Sequence, residues 1–255
     1  MLLWYHVNLT PHRNPTSFRI FSPDELVSNK LDAVFDVTGR NFQWDVASRA
    51  QGGRVVEILS EHTCQGMLQG YTLTGRTGLF PSYEAFLGIV HTMMVQYSKF
   101  SKMAVETTWR QPCGSLNYIE TSTWTRQEHN GFSHQNPSFI GAVLNLKARF
   151  ARVYLPPDAN CFLSTVSHCL RAKNYVNLMV GSKQPTPVWL SPEEADKVGA
   201  SIHHSLYQHI LSMFLVHSIA LLVLLFGSLL VWTVALTQTC MLFPSHLSLV
   251  SLTDT

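Results

Sequence analysis

Short apolar, β-branched runs alternate with longer stretches of helical periodicity along the first two thirds of the chain. Residues 54–59 (RVVEIL) suit a buried strand, as do 115–122, 152–155 and 176–180. After the first of these, Ser60-Glu61-His62 opens a helix-compatible stretch to about Thr74, where Gly75 is placed to stop it. Within 82–105, Tyr83, Phe86, Leu87, Val90, Met93, Met94 and Tyr97 recur at helical spacing on one face. Pro156-Pro157 ends the third strand. Asp158 then predicts a capped helix through Leu170, because its carboxylate can accept the free amide hydrogens of the first turn. Ser191-Pro192-Glu193-Glu194 reads as another helix start, with Ser as cap, Pro at the first position and Glu194 completing a capping box. Strands alternating with helices predict an α/β fold with a mostly parallel sheet flanked by helices.

The pattern changes at both ends. Residues 1–17 are polar, broken by Pro11 and Pro15, and read as a linker remnant; their start has no apolar stretch of signal-peptide length. The α/β pattern occupies 18–197. Residues 198–255 contain one acid, Asp254, and no Lys or Arg, whereas all 18 basic residues lie at or before Lys197. Within this tail, 210–236 is apolar and long enough for a transmembrane helix, yet it lacks the basic flank that usually sets orientation. Two expectations follow: an apolar helical tail that anchors the chain to a membrane, or a translated intron beginning at Val198. The second is favoured because the basic residues vanish just where a capped helix should continue.

Composition narrows the function classes. The formal charge is +2, with no basic run, so nucleic acid is not an expected partner. Cys64, Cys113, Cys161, Cys169 and Cys240 form no CxxC pair and read as buried free thiols of a reducing, cytoplasmic setting.

Three stretches carry candidate chemistry. In Leu59-Ser60-Glu61-His62, a carboxylate follows a strand and opens a helix, where α/β folds place ligand-facing groups; a helix-start or surface charge is the alternative. In 127–137 (QEHNGFSHQNP), His129 and His134 stand five residues apart among Gln127, Asn130 and Gly131. Neutral imidazoles there can exchange protons near physiological pH. A surface loop is the alternative, and zinc is disfavoured because no third and fourth ligand appears at a suitable spacing. The third set is dispersed: FRIFSPDE at 18–25, Ser28-Asn29-Lys30, and Gly181-Ser182-Lys183-Gln184-Pro185. Ser, Asn and Lys suit phosphate, and an ordinary solvated turn is the alternative.

Together and in this order, FRIFSPDE, SNK, LSEH, GYTLTGR, SYEAF, WRQ, QEHNGFSHQNP, LPPDAN and GSKQP resemble the middle domain of phosphoketolases across 18–197. The resemblance implies a thiamin diphosphate-binding fold that holds the cofactor's aminopyrimidine ring. Glu61 matches the glutamate that hydrogen-bonds that ring, and Phe86 an aromatic packed on it. Tyr83, Gln127 and His134 match residues around the reacting sugar. Ser28, Lys30, His129, Asn130 and Lys183 match the phosphate-binding set. The implied reaction cleaves xylulose 5-phosphate or fructose 6-phosphate with inorganic phosphate, giving acetyl phosphate and an aldose phosphate. The full-length family is expected to be homodimeric and to need magnesium. Its Gly-Asp-Gly magnesium motif does not occur in this chain, so no metal ligands are assigned, and a fragment inactive alone is expected. Where this chain has Lys30, Glu128 and Asn136, the family more often has Arg, Asp and Asp; the first change replaces a bidentate phosphate grip with a point charge. A transketolase-like enzyme and a membrane-anchored binding module are the alternatives. The His129–His134 loop and the paired phosphate motifs favour phosphoketolase over the former.

Overall fold

The computed structural model describes residues 17–41, 46–47, 52–121 and 134–198. Six strands form one sheet: β1 (Phe18–Ser22), β2 (Val55–Glu57), β3 (Thr77–Ser82), β4 (Leu116–Glu120), β5 (Ala151–Tyr154) and β6 (Val176–Val180). Their spatial order is β2-β1-β3-β4-β6-β5, and every pairing is parallel. The helices are α1 (Glu61–Leu73), α2 (Glu84–Leu87), α3 (His91–Glu106), α4 (Ser138–Leu144) and α5 (Ala159–Arg171), with 3-10 turns at Asp32–Asp36 and Gly88–Val90.

Strand alternation sends side chains to two apolar layers. On one face Phe21, Val56, Phe80, Tyr118 and Leu178 pack against Cys64 and Leu68 of α1, Met94 and Tyr97 of α3, and Phe139 of α4. On the other, Ile20, Val55, Leu79, Ile119 and Met179 meet Val34 and α5, through Val166 and Cys169. A parallel sheet covered on both faces needs strands apolar on both, and β4 and β6 are buried along their whole length. Each large apolar side chain so buried contributes about 1.5–3 kcal/mol. The Tyr118 hydroxyl within this core is satisfied by Gln65, donating to its Oε1 at 3.0 Å and accepting from its Nε2 at 2.7 Å.

The helix boundaries follow local chemistry. The Ser60 hydroxyl accepts from the Thr63 amide at 3.3 Å to start α1, and Gly75 at φ +82 follows its end. Asp158 accepts from the Cys161 amide at 2.8 Å to start α5; its other oxygen accepts from the Trp189 and Leu190 amides. Burial alone would raise this carboxyl, yet those amides hold it down at about 2. Ser191 and Glu194 form the reciprocal capping box that their spacing predicts, and helix 192–198 follows.

Two expectations are corrected. The periodic stretch read as helical from Ser82 is not one helix: Ser82 ends β3, and α2 is separated from α3 by the Gly88–Val90 turn. Strands β1 and β3 were not anticipated as strands. β3 contains Gly78 and Pro81, both disfavoured in strands; Pro81 is tolerated because β1 pairs with β3 only as far as Leu79, so its missing N–H faces no β1 partner. Among the described residues no helix is long and apolar enough to cross a membrane; the expected 210–236 span lies outside them. Cys64, Cys113, Cys161 and Cys169 are free and buried.

Candidate functional site

Between β1 and β3 the chain order reverses, since β1 leads outward to β2 and the chain then returns to place β3 on its other side. In open parallel sheets the crevice at the carboxyl ends of two such strands is the usual ligand site. The parting of β1 from β3 after Leu79 opens that crevice here. Every described candidate residue lies in a segment leaving a carboxyl end: Ser28 and Lys30 after β1, Glu61 after β2, Tyr83 and Phe86 after β3, His134 after β4, and Lys183 after β6.

Five of these seven are brought into one cluster by direct contacts. The Tyr83 and Phe86 ring centroids are 5.8 Å apart, and His134 stands edge-on to both, at 6.4 and 5.4 Å. Lys183 Nζ lies 3.8 Å from the Tyr83 ring centroid. The Tyr83 hydroxyl donates to the Ser28 carbonyl at 3.1 Å, tying the β1 and β3 segments together. All five residues are half-buried, so the rings form a wall with one accessible side. Glu61, also half-buried, is the first residue of α1, where a carboxylate is favoured by the exposed amides and dipole of the helix. Lys30 takes a left-handed backbone (φ 58); its side chain is exposed and joins none of the contacts just described. Gln127, His129 and Asn130 lie outside the described residues.

Three further carboxyls line this end of the sheet, and sequence reasoning assigned none of them a role. Asp24 has its carboxyl raised by burial and by the Glu61 charge, and lowered by Lys183 and His134, which places it electrostatically between acid and base. Its Oδ2 is buried without a hydrogen-bond partner. Glu84 is fully buried and accepts from the Asn136 amide at 2.5 Å; Asn136 Oδ1 in turn accepts from the Ser138 amide at 3.0 Å. Glu84 thereby pins the segment carrying His134 to the helix carrying Phe86. Glu120, the last residue of β4, is fully buried with neither carboxyl oxygen paired, and its register neighbour Ser82 also has an unpaired hydroxyl. Burial, with the Glu84 charge second, pushes Glu120 up to about 8, so it is held largely as the neutral acid at pH 7. The available signal was an acid ending an apolar strand run, as in LNYIE, or following one closely, as in the segment Ser22-Pro23-Asp24.

The arrangement can hold a flat heteroaromatic group against the rings, present carboxylates to its polar edge, and offer Lys183 to an anionic substituent. Among the described residues no cluster of His, Cys, Asp and Glu could hold a metal ion.

A parallel sheet with its site at this switch point places the chain in the fold class of transketolase. The Pichia stipitis transketolase, solved as a complex with sedoheptulose 7-phosphate, superposes with a TM-score of 0.50 over 71% of this chain and 25% of its own, at 16% identity. That likeness concerns the fold alone. The chain belongs to the D-xylulose 5-phosphate/D-fructose 6-phosphate phosphoketolase family, which matches residues 5–172. A probable phosphoketolase of Schizosaccharomyces pombe is 60% identical over 192 residues, covering 74% of this chain and 23% of its own length. Those of Rhodopirellula baltica and Rhodopseudomonas palustris strain HaA2 are 54% and 52% identical, covering 72% and 74% of this chain and 23% and 25% of theirs. The chain therefore spans about a quarter of the length of these relatives.

Proposed function

We propose that residues 18–197 form the domain that holds the aminopyrimidine half of thiamin diphosphate in an enzyme cleaving xylulose 5-phosphate or fructose 6-phosphate. Inorganic phosphate is the acceptor, and acetyl phosphate and an aldose phosphate are the products. The observation that carries this reading is the convergence of Tyr83, Phe86, His134, Lys183 and Ser28 in the β1–β3 crevice. The cofactor fits what is there: a ring wall for a planar heterocycle, and the carboxylates of Glu61 and Asp24, one with a buried unpaired oxygen. When bound, thiamin diphosphate supplies the carbon nucleophile and the electron sink for carbon–carbon cleavage.

The chain's own residues position and exchange protons. Glu61 accepts a hydrogen bond from the pyrimidine edge. Phe86 packs on the ring face. His134, braced edge-on by Tyr83 and Phe86, is placed to exchange a proton with a sugar hydroxyl. Lys183 and Ser28 meet phosphate oxygens, with Lys30, His129 and Asn130 as the remaining members of the phosphate set and Gln127 beside the sugar. The diphosphate and magnesium are held by parts of the enzyme outside this chain, and the active assembly is a homodimer.

Exchanging the matched stretch of the Schizosaccharomyces pombe relative for residues of this chain tests the reading. With magnesium, thiamin diphosphate, xylulose 5-phosphate and phosphate, the exchanged enzyme is expected to form acetyl phosphate, whereas this chain alone is expected to form none. A folded exchanged enzyme that forms none would overturn the proposal.

A further inference from the structure

Opposite the crevice, at the amino ends of the strands, lies a second cluster of a different kind. Arg19 stands two residues before Phe21, Arg54 two before Val56, and Arg76 two before Gly78. Phe21 and Val56 belong to the apolar layer under α1, and a Cβ on Gly78 would meet the Leu68 side chain of α1. Alternation in β1 therefore sends Arg19 toward α1, and Arg54 and Arg76 stand just before β2 and β3 with charges that also reach that helix. There they surround Tyr71, in the last turn of that helix. The Arg76 guanidinium is 5.5 Å from the Tyr71 ring centroid, and Phe21 packs edge-on to the same ring at 5.5 Å. Lys173 adds a fourth cation, its Nζ donating to the Gly75 carbonyl at 3.0 Å.

No acid pairs with these cations among the described residues. Among the described residues the ion pairs are Arg40–Glu57 and Lys102–Glu106, and neither includes these four cations. Arg19 spends one donor on the Gly53 carbonyl and Arg76 one on the Thr74 hydroxyl, which leaves most of their guanidinium donors free. The Tyr71 hydroxyl is buried with the Arg19 guanidinium beside it as a donor, and its own proton meets no acceptor among the described residues. That hydroxyl proton and the three guanidinium groups are a donor set lacking only its acceptor. Like charges on one patch repel, and a bound anion offsets that repulsion.

We propose that Arg19, Arg54, Arg76 and Tyr71 form a binding site for an oxyanion of the phosphate class. The forked guanidinium groups match its oxygens in pairs, and the Tyr71 hydroxyl donates to a third. The site is separate from the β1–β3 crevice, at the other end of the same strands, and does not depend on the catalytic reading.

The test is a titration of the full chain with inorganic phosphate, following the side-chain Nε–Hε signals of Arg19 and Arg76 by NMR. Acetate and chloride at matched ionic strength are run beside it. Phosphate is expected to give saturable shifts and to bind about tenfold or more tightly than acetate, with no saturation by chloride. Arg76→Gln and Arg19→Gln should each weaken binding about tenfold or more at the remaining arginine's signal, while Lys183→Gln in the crevice should leave the Arg19 and Arg76 titrations unchanged. Should an arginine variant not fold, Tyr71→Phe keeps the ring and the cations, and is expected to weaken phosphate about threefold to tenfold. Absence of saturation, equal shifts with chloride or acetate, or loss of binding in Lys183→Gln would each overturn the proposal.

Discussion

The two ends of the sheet carry opposite chemistry. Acids gather where strands end: Asp24, Glu57, Glu61, Glu84 and Glu120 all lie at or just beyond a carboxyl end. Cations gather where strands begin, with Arg19, Arg54, Arg76, Arg152 and Lys173 at or just before an amino end. At the acidic end, charges are buried, neutralised or committed to backbone amides, as with Glu120 and Glu84. At the basic end, the guanidinium groups lean on aromatic rings instead, Arg152 on Tyr175 at 3.7 Å and Arg76 on Tyr71 at 5.5 Å. Burying a carboxyl raises its pKa and makes it a proton carrier, whereas a guanidinium stays charged wherever it sits. One end of the molecule is thus suited to moving protons, the other to holding an anion.

Glu120 offers the largest lever on this contrast. Its folded pKa, about 8, lies above its ordinary value of 4.5, so its contribution to stability is complete below the lower value and is lost as pH rises toward the upper. Glu120→Gln should flatten the fall in stability across that window, which is of the order of 3–5 kcal/mol. Urea unfolding of both proteins at several pH values measures it, and an unchanged slope would remove the buried acid from the account. Next in size, Glu61→Gln in the exchanged enzyme keeps the shape but not the charge, and should lower turnover about 10²-fold or more. Near wild-type turnover would strip Glu61 of its role. Lys183→Ala in the same enzyme should raise the apparent constant for phosphate or sugar phosphate about tenfold with little change in melting temperature. A lower melting temperature with unchanged phosphate dependence would make Lys183 a structural residue. The smallest effect is expected at the exposed Lys102–Glu106 pair, 3.8 Å apart on successive turns of α3. Glu106→Gln should cost less than about 0.5 kcal/mol, and a larger loss would mean that acids matter at the basic end too.

What could be read from the sequence followed from signals local to a few residues. The apolar run 176–180 is β6 in full, Asp158 caps the helix its chemistry predicts, and the Ser191–Glu194 box closes as its spacing requires. What could not be read depended on distant partners. Strand β3, with Gly78 and Pro81, is a strand only because its neighbours make it one, and α2 breaks from α3 at a turn that the apolar periodicity runs straight across. Of the candidates that motifs single out, Ser28, Tyr83, Phe86, His134 and Lys183 stand in contact with one another. Asp24, Glu84 and Glu120 were passed over, because an acid at a strand end looks like an ordinary turn residue until its burial is known.

The early parting of β1 and β3 has a mechanical consequence. Past Leu79 no ladder hydrogen bond joins the two strands, so widening the crevice breaks none. Its aperture is fastened by side chains that reach across it: the Tyr83 hydroxyl on the Ser28 carbonyl, and the Thr121 hydroxyl on Asn29 Oδ1 at 2.6 Å. Each such bond is worth about 0.5–1.5 kcal/mol, a small sum beside the stiffness of a six-stranded sheet. The mouth of the crevice is therefore a latched seam in a rigid plate, and Tyr83, already part of the ring wall, is one of its latches.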